Sequence, residues 1–217
     1  MKTTRQSNQR QGIVFILSAP SGTGKTTVIN GLRERFPEVS LSVSYTTRAP
    51  RSGDIPGRDY HFISRSRFSA MKAKGEFAEW ATVHDFYYGT PRRPLDRSIG
   101  KGKDFFLDID VQGARQIKKE YPQAVSIFLL PPSWGELKRR LGKRATDNTK
   151  IIRRRLANAR REIQNVMQYD YYVVNRNIEE AVGLLEAIVL AERQRISRVL
   201  RWRIAPLKGE SKALSRS

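Results

Sequence analysis

Residues 19–27, A-P-S-G-T-G-K-T-T, follow directly after the apolar run 13–17 and contain the groups needed to hold phosphate. Glycines let successive backbone N–H groups turn toward phosphate oxygens at the start of a helix, where a lysine adds positive charge. Ala19 replaces the first glycine of the usual G-x-x-x-x-G-K-[ST] spacing, at a position where φ need not be positive. The stretch therefore predicts a nucleotide-binding loop formed by Ala19, Pro20, Ser21, Gly22, Thr23, Gly24, Lys25, Thr26 and Thr27, with the Thr26 hydroxyl offered to magnesium.

Four apolar runs predict strands buried on both faces: 13–17, 105–109, 124–130 and 171–174. Helical patterns separate them, at 24–36, 111–121, 133–141, 149–168 and 178–200. This alternation predicts an α/β fold, with a parallel sheet flanked by helices. Residues 39–90 break the rhythm with short alternating strands, turns and a helix at 65–74, which indicates a small mixed α+β insert.

The arrangement of strands also points to acidic residues near the nucleotide. Asp108 ends the run 105–109, where enzymes with such a loop place an acidic group near magnesium. Asp110, two residues further along, is expected to share its strand face and to point toward a second substrate.

The net charge of +20 lies in three segments, 1–12, 138–161 and 193–217, which leaves the body of the chain neutral. The block 138–161 has three interpretations: a solvated helical face, a nucleic-acid-binding patch, or a lid whose arginines close over a transferring phosphoryl group. The chain has no cysteine, which excludes disulfides and thiolate metal sites. No apolar segment reaches the ~20 residues of a membrane span, so we expect a cytoplasmic protein.

Further motifs identify what could accept the phosphate. They are S-V-S-Y-T-T-R-A-P-R-S-G-D at 42–54, G-R-D-Y-H-F at 57–62, E-F-A-E-W at 76–80, Y-Y-G-T-P at 87–91 and D-I-D-V-Q-G at 108–113. Together with the loop they resemble the guanylate kinase family, in order, from about residue 12 to 195. The resemblance implies transfer of the γ-phosphoryl group from MgATP to GMP, and to dGMP, by direct in-line displacement.

The resemblance also implies roles for individual residues. Ser44, Arg48, Arg51, Tyr60 and Tyr88 would hold the GMP phosphate, and Glu79, Thr90 and Asp110 would face guanine. Planar arginines suit phosphate, and the Glu79 carboxylate can accept from guanine N1–H and its amino group together. His61 and His84 are expected to be structural or surface residues.

For the basic block, the resemblance favours the lid and makes Arg144 and Arg155 phosphate-facing, with Arg140 beside them. Lys25, Arg48, Arg144 and Arg155 would act on the transferring group, and Asn175 would contact the donor nucleotide. The sequence departs from the family pattern at Asp54, Ala145, Lys150, Arg153 and Arg176.

The resulting division has a core at about 12–38, 96–137 and 165–203, a GMP-binding lobe at about 39–95 and a lid at about 138–164. Basic tails at 1–11 and 204–217 are expected to be disordered, and could bind nucleic acid. Two alternatives stay open at this point: a catalytically inactive protein-binding module of the same fold, and a kinase for a different acceptor.

Overall fold

The computed structural model describes residues 10–83, 85–142 and 149–199. Within them the strands are β1 (Val14–Ser18), β2 (Ser40–Leu41), β3 (Ser44–Thr46), β4 (Tyr60–Phe62), β5 (Phe77–Val83), β6 (Phe86–Pro91), β7 (Phe105–Asp108), β8 (Val125–Leu130) and β9 (Tyr171–Val174). The helices are α1 (Lys25–Arg35), α2 (Arg65–Ala73), α3 (Arg92–Gly100), α4 (Val111–Glu120), α5 (Trp134–Gly142), α6 (Thr149–Ile163), α7 (Ile178–Gln194) and α8 (Ile196–Val199).

The core is a parallel sheet of five strands in the order β2-β7-β1-β8-β9. All five residues of β1 are buried, because helices cover the sheet on both faces. The four predicted apolar runs therefore form strands, and the predicted α/β class is confirmed.

The fifth strand comes from the segment that was assigned to the insert. Ser40–Leu41 pairs with Phe105–Phe106 in the parallel sheet, whereas Ser44–Thr46 joins a second sheet of order β4-β3-β6-β5. The alternating run at 40–46 thus supplies a strand to each sheet, because the two residues between β2 and β3 suffice for the chain to change direction. The boundaries of the three predicted parts otherwise stay predictions.

The predicted helix over 178–200 is wrong at its end. Arg195 leaves helical geometry, with φ −58° and ψ 126°, and a separate turn of helix follows. The break lets Arg198 reach back to the buried carboxylate of Glu192, at 3.1 Å. Helix α6 likewise ends at Ile163, and a 3₁₀ turn continues it at Val166–Gln168.

The amino end of the sheet is fixed by a buried carboxylate, Asp104. Its oxygens accept from the backbone N–H of Ile13 at 2.9 Å, from Arg10 at 2.6 Å and from Arg193 at 2.7 Å. Arg10 is therefore held to the core, so the expected disordered segment 1–11 is too long at its inner end. The remainder of that tail, and residues 204–217, lie outside the described residues. None of the described helices is long and apolar enough to cross a membrane.

Candidate active site

A cavity of about 330 Å³ opens at the carboxyl ends of the parallel strands. Its walls come from the loop after β1, the second sheet, the β7–α4 connection and helix α6. Such a position is where parallel α/β sheets bind ligands. Most of the residues that the sequence predicts for the site meet here: residues 19–27, Ser44, Arg51, Tyr60, Glu79, Tyr88, Asp108, Asp110 and Arg155.

The phosphate-binding loop has the backbone that its glycines predict. Gly22 and Gly24 adopt φ of 89° and 93°, in the left-handed region, and α1 begins at Lys25. Among the described non-glycine residues Asp85 alone has a positive φ, so Ala19 tolerates its Cβ as expected. The loop therefore presents the start of a helix to the cavity, where N–H groups and the helix dipole favour anions.

Asn175 supports this loop from behind. Its amide donates to the backbone oxygen of Thr23 at 2.7 Å, and the Arg140 guanidinium donates to the same oxygen at 3.1 Å. A Cβ at Gly24 would lie 2.8 Å from the Asn175 amide nitrogen, so the close approach requires glycine there. Asn175 is 3% exposed and lies behind the loop, and its predicted contact with the donor nucleotide stays a prediction.

Lys25 and Asp108 form an ion pair at the floor of the cavity. Thr26 lines the same wall, one residue into α1. A hydroxyl and a carboxylate are the hard oxygen donors that magnesium accepts, and an ion that keeps several waters needs few protein ligands. No cluster of three acidic or histidine side chains occurs among the described residues.

Asp110 is not on the strand. Strand β7 ends at Asp108, and Asp110 is the N-cap of α4, where its Oδ1 accepts from the N–H of Gln112 at 3.1 Å and of Gly113 at 2.9 Å. The expectation of a shared strand face is therefore wrong, because an aspartate before a helix is stabilised by the unpaired N–H groups of its first turn. Asp110 still lines the cavity.

The second sheet contributes hydroxyl groups, and the connection between β3 and β4 contributes one arginine. Ser44, Arg51, Tyr60 and Tyr88 line the cavity, and the two tyrosine rings make an edge contact at 5.8 Å between centroids. Burial, with the nearby charge of Asp108, raises the pKa of Tyr60 to about 12. The Tyr60 hydroxyl is therefore a hydrogen-bond donor at any physiological pH.

Arg48 lies behind this surface rather than in it. It is 7% exposed, its guanidinium pairs with Asp54 at 2.9 Å, and it sits 5.4 Å from the centre of the Tyr60 ring. The Asp54 carboxylate also accepts from the backbone N–H of Arg51, at 2.7 Å. In this conformation Arg48 organises the tyrosine and arginine that face the cavity, and its direct contact with a phosphate stays a prediction.

Glu79, on β5, is a carboxylate that is 4% exposed and points into the cavity. The Thr90 hydroxyl donates to its Oε1 at 2.6 Å. Burial raises the pKa of Glu79 to about 7; the Thr90 bond acts against this shift and the Asp110 charge adds to it. Thr90 is fully buried and orients Glu79 through this bond; its predicted contact with a base stays a prediction.

Helix α4 holds Glu79 in place. Gln116 pairs with Trp80, the neighbour of Glu79, through both backbone groups at 3.2 and 2.7 Å. A Cβ on Gly113 would come within 2.5 Å of Glu79 Oε2. The carboxylate therefore occupies space that only glycine leaves free.

Helix α6 brings two charged side chains to the cavity, Arg155 and Glu162. Arg155 was predicted, and Arg144 lies outside the described residues. The sequence reasoning missed Glu162, which is the single acidic residue of this basic helix. It follows Ala159 by three residues and Leu156 by six, which places it on the buried face and is the signal that could have identified it.

His61 takes no part in the described site. His61, on β4, stacks on Tyr45 at 4.6 Å and does not line the cavity. His84 lies outside the described residues.

Comparison with known proteins agrees with this geometry. The family model described as guanylate kinase matches residues 11–192. A guanylate kinase of Geobacter metallireducens is 50% identical over 88% of this chain and 95% of its own length, and one of Aromatoleum aromaticum is 49% identical over 85% and 90%. The crystal structure of guanylate kinase from Anaplasma phagocytophilum is 37% identical and superposes with a TM-score of 0.75 over 88% of this chain and 90% of that one. The chain belongs to the guanylate kinase family.

Proposed function

We propose that this protein transfers the γ-phosphoryl group of ATP to GMP, and to dGMP, giving the corresponding diphosphate and ADP. The observation that carries the proposal is that a phosphate-binding loop and a buried carboxylate, Glu79, open into one cavity. The loop suits the polyphosphate of a donor, and the carboxylate suits a base that offers two adjacent N–H donors. The family of the chain supports the same reaction.

Guanine is the base that fits Glu79. Its N1–H and amino group present two donors to one carboxylate. Adenine offers an acceptor at N1 and no amino group beside it, so a buried charged acceptor would be left unpaired. A site of this kind discriminates by ~10⁴ or more.

The acceptor phosphate would be held by Ser44, Arg51, Tyr60 and Tyr88. All four line the cavity on the side of the second sheet. For Arg48 we propose an organising role, through Tyr60 and Asp54. No general base is needed, because a phosphate with a second pKa near 6 is already largely deprotonated at neutral pH.

Thr26 and Asp108 are the residues that we propose for magnesium, with water between the ion and Asp108. When bound with ATP, the ion neutralises charge on the β- and γ-phosphates. Lys25 would exchange its pairing with Asp108 for the transferring phosphate. Arg155, together with Arg144, would stabilise the same charge when the lid closes and excludes water.

Direct transfer can be tested without GMP. Isotopically labelled ADP mixed with ATP and magnesium should not exchange label with ATP, because no phosphoryl-enzyme forms. Exchange in the absence of GMP would contradict the direct mechanism. An inactive protein-binding module has no support here, since Lys25, Thr26 and Asp108 all line the cavity. Nucleic-acid binding by the basic tails stays a prediction.

A further inference from the structure

Glu162 is a carboxylate that the proposed reaction does not use. It lies on helix α6, it is half-buried, and it lines the same cavity as the phosphate-binding loop. Its Oε2 atom is fully buried and has no hydrogen-bond partner among the described residues. A carboxylate in this setting needs a specific explanation, because burying a charge without full pairing is costly.

Three neighbours define the electrostatics of Glu162. Burial raises its pKa to about 7, the Lys25 charge and the backbone N–H of Ser21 lower it, and the Asp110 carboxylate raises it. Ser21 and Lys25 both belong to the phosphate-binding loop. Above this pKa, Glu162 is thus an anion that the protein itself places beside a loop suited to anions.

The position of Glu162 on its helix connects it to Arg155. Both side chains line the cavity, and seven residues, about two helical turns, separate them. They therefore share a face of α6, and a movement of one relative to the loop moves the other. Incoming phosphates attract Arg155 and repel Glu162.

We propose that the Glu162 carboxylate competes with nucleotide phosphates for the loop, holding α6 against Ser21 and Lys25 until a nucleotide displaces it. Glu162 is a positioning residue: it weakens nucleotide binding and makes the location of Arg155 depend on whether the loop is occupied. The inference rests on the proposed function only in requiring that a nucleotide binds at the loop.

The test is calorimetric titration of the full chain with ADP, without GMP, at pH 8 and low salt. Glu162→Gln keeps the shape of the side chain and removes its charge, so it should bind ADP about three- to tenfold more tightly, as expected for loss of one partly screened like charge. Glu162→Ala should shift affinity in the same direction. Glu162→Asp keeps the charge and should stay within about twofold of the unmodified protein.

Glu34→Gln is the matched control. It removes one negative charge from the exposed side of α1 and should leave ADP affinity unchanged. Equal or weaker ADP binding by both Glu162→Gln and Glu162→Ala would overturn the inference while leaving the proposed function intact. Absence of ADP binding in every variant, the unmodified protein included, would overturn both.

Discussion

The Thr90 hydroxyl donates to Glu79 Oε1 at 2.6 Å, from a position with no solvent exposure. The bond joins neighbouring antiparallel strands, since Glu79 pairs with Thr90 in the register of β5 and β6. One face of the second sheet therefore fixes the carboxylate, while Gly113 of α4 leaves room for its other oxygen. If Glu79 recognises the base as proposed, both elements contribute to that recognition, and each can be tested separately.

Glu79→Gln should erode the preference for guanine. In the variant, one of the two accepting oxygens becomes an NH₂ group, which would face an N–H donor of guanine. Therefore kcat/KM for GMP should fall by about 10²–10³, while kcat/KM for AMP changes little. Steady-state kinetics with each acceptor measures the ratio. Glu76→Gln, on the exposed side three residues earlier, should have no effect. An unchanged GMP-to-AMP ratio in Glu79→Gln would refute the assignment of this carboxylate to the base.

Gly113→Ala should impair GMP use without destabilising the helix. Alanine is intrinsically better than glycine in a helix by about 1 kcal/mol, so any loss comes from the new methyl group against Glu79 Oε2. We expect KM for GMP to rise about tenfold or more and KM for ATP to stay within about twofold. Gly100→Ala is the control, because a Cβ there meets nothing within 4 Å. Wild-type GMP kinetics in Gly113→Ala would show that the carboxylate can move freely.

The affinity for GMP should rise with pH. Glu79 must be ionised to accept from guanine, and its pKa is raised to about 7, so KM for GMP should fall as pH increases from 6 to 8 and then level off. The second ionisation of the GMP phosphate, near pH 6, contributes separately. In Glu79→Gln the contribution of this carboxylate should be lost, while those of the phosphate and of Glu162 remain, and the two profiles should differ most near pH 7. Identical profiles would mean that Glu79 is ionised throughout.

The same pKa shift has a consequence for stability. A carboxyl group whose pKa is raised on folding stabilises the protein below its unfolded pKa of about 4.5, and this contribution is lost as pH rises through about 7. The melting temperature of the unmodified protein should therefore fall relative to Glu79→Gln between pH 5 and 8. The informative quantity is how the difference between the two melting temperatures changes with pH, because other groups titrate in both proteins.

Asp104→Asn should destabilise the fold and spare activity. The change removes the charge of a fully buried carboxylate and so weakens its bonds to Arg10, Arg193 and the N–H of Ile13. These contacts lie at the end of the sheet remote from the cavity. We expect a loss of about 2–4 kcal/mol, or a melting temperature lower by about 5–15 °C. Turnover at 25 °C should stay within about twofold. Asp96→Asn, at an exposed carboxylate that accepts from Tyr121, should cost less than about 1 kcal/mol. Equal melting temperatures for the two variants would contradict the buried-network account.

The sequence predicts the loop and the strands well because local rules determine them. Gly22 and Gly24 need a backbone that other residues avoid, and continuous apolar runs have few alternatives to buried parallel strands. The positions of the other site residues depend on tertiary contacts. Nothing in the sequence around Asn175 shows that its amide donates to the backbone oxygen of Thr23.

Two further differences have the same origin. Asp110 was placed on a strand because spacing along the chain does not reveal where the strand ends and a helix cap begins. Glu162 was overlooked because it stands within a run of arginines, where a lone acid suggests a surface ion pair. Only the packing of α6 against the cavity shows that it faces the phosphate-binding loop.

The most direct test of the central claim is ADP formation from MgATP with GMP, AMP, CMP and UMP as separate acceptors, with Lys25→Met as the inactive control. The account predicts rapid turnover with GMP, turnover at least 10³-fold lower with the other three, and loss of about 10²-fold or more in the control. Comparable rates with AMP would contradict the role of Glu79. No turnover with any acceptor, despite GMP binding, would contradict the assignment of catalysis to this site.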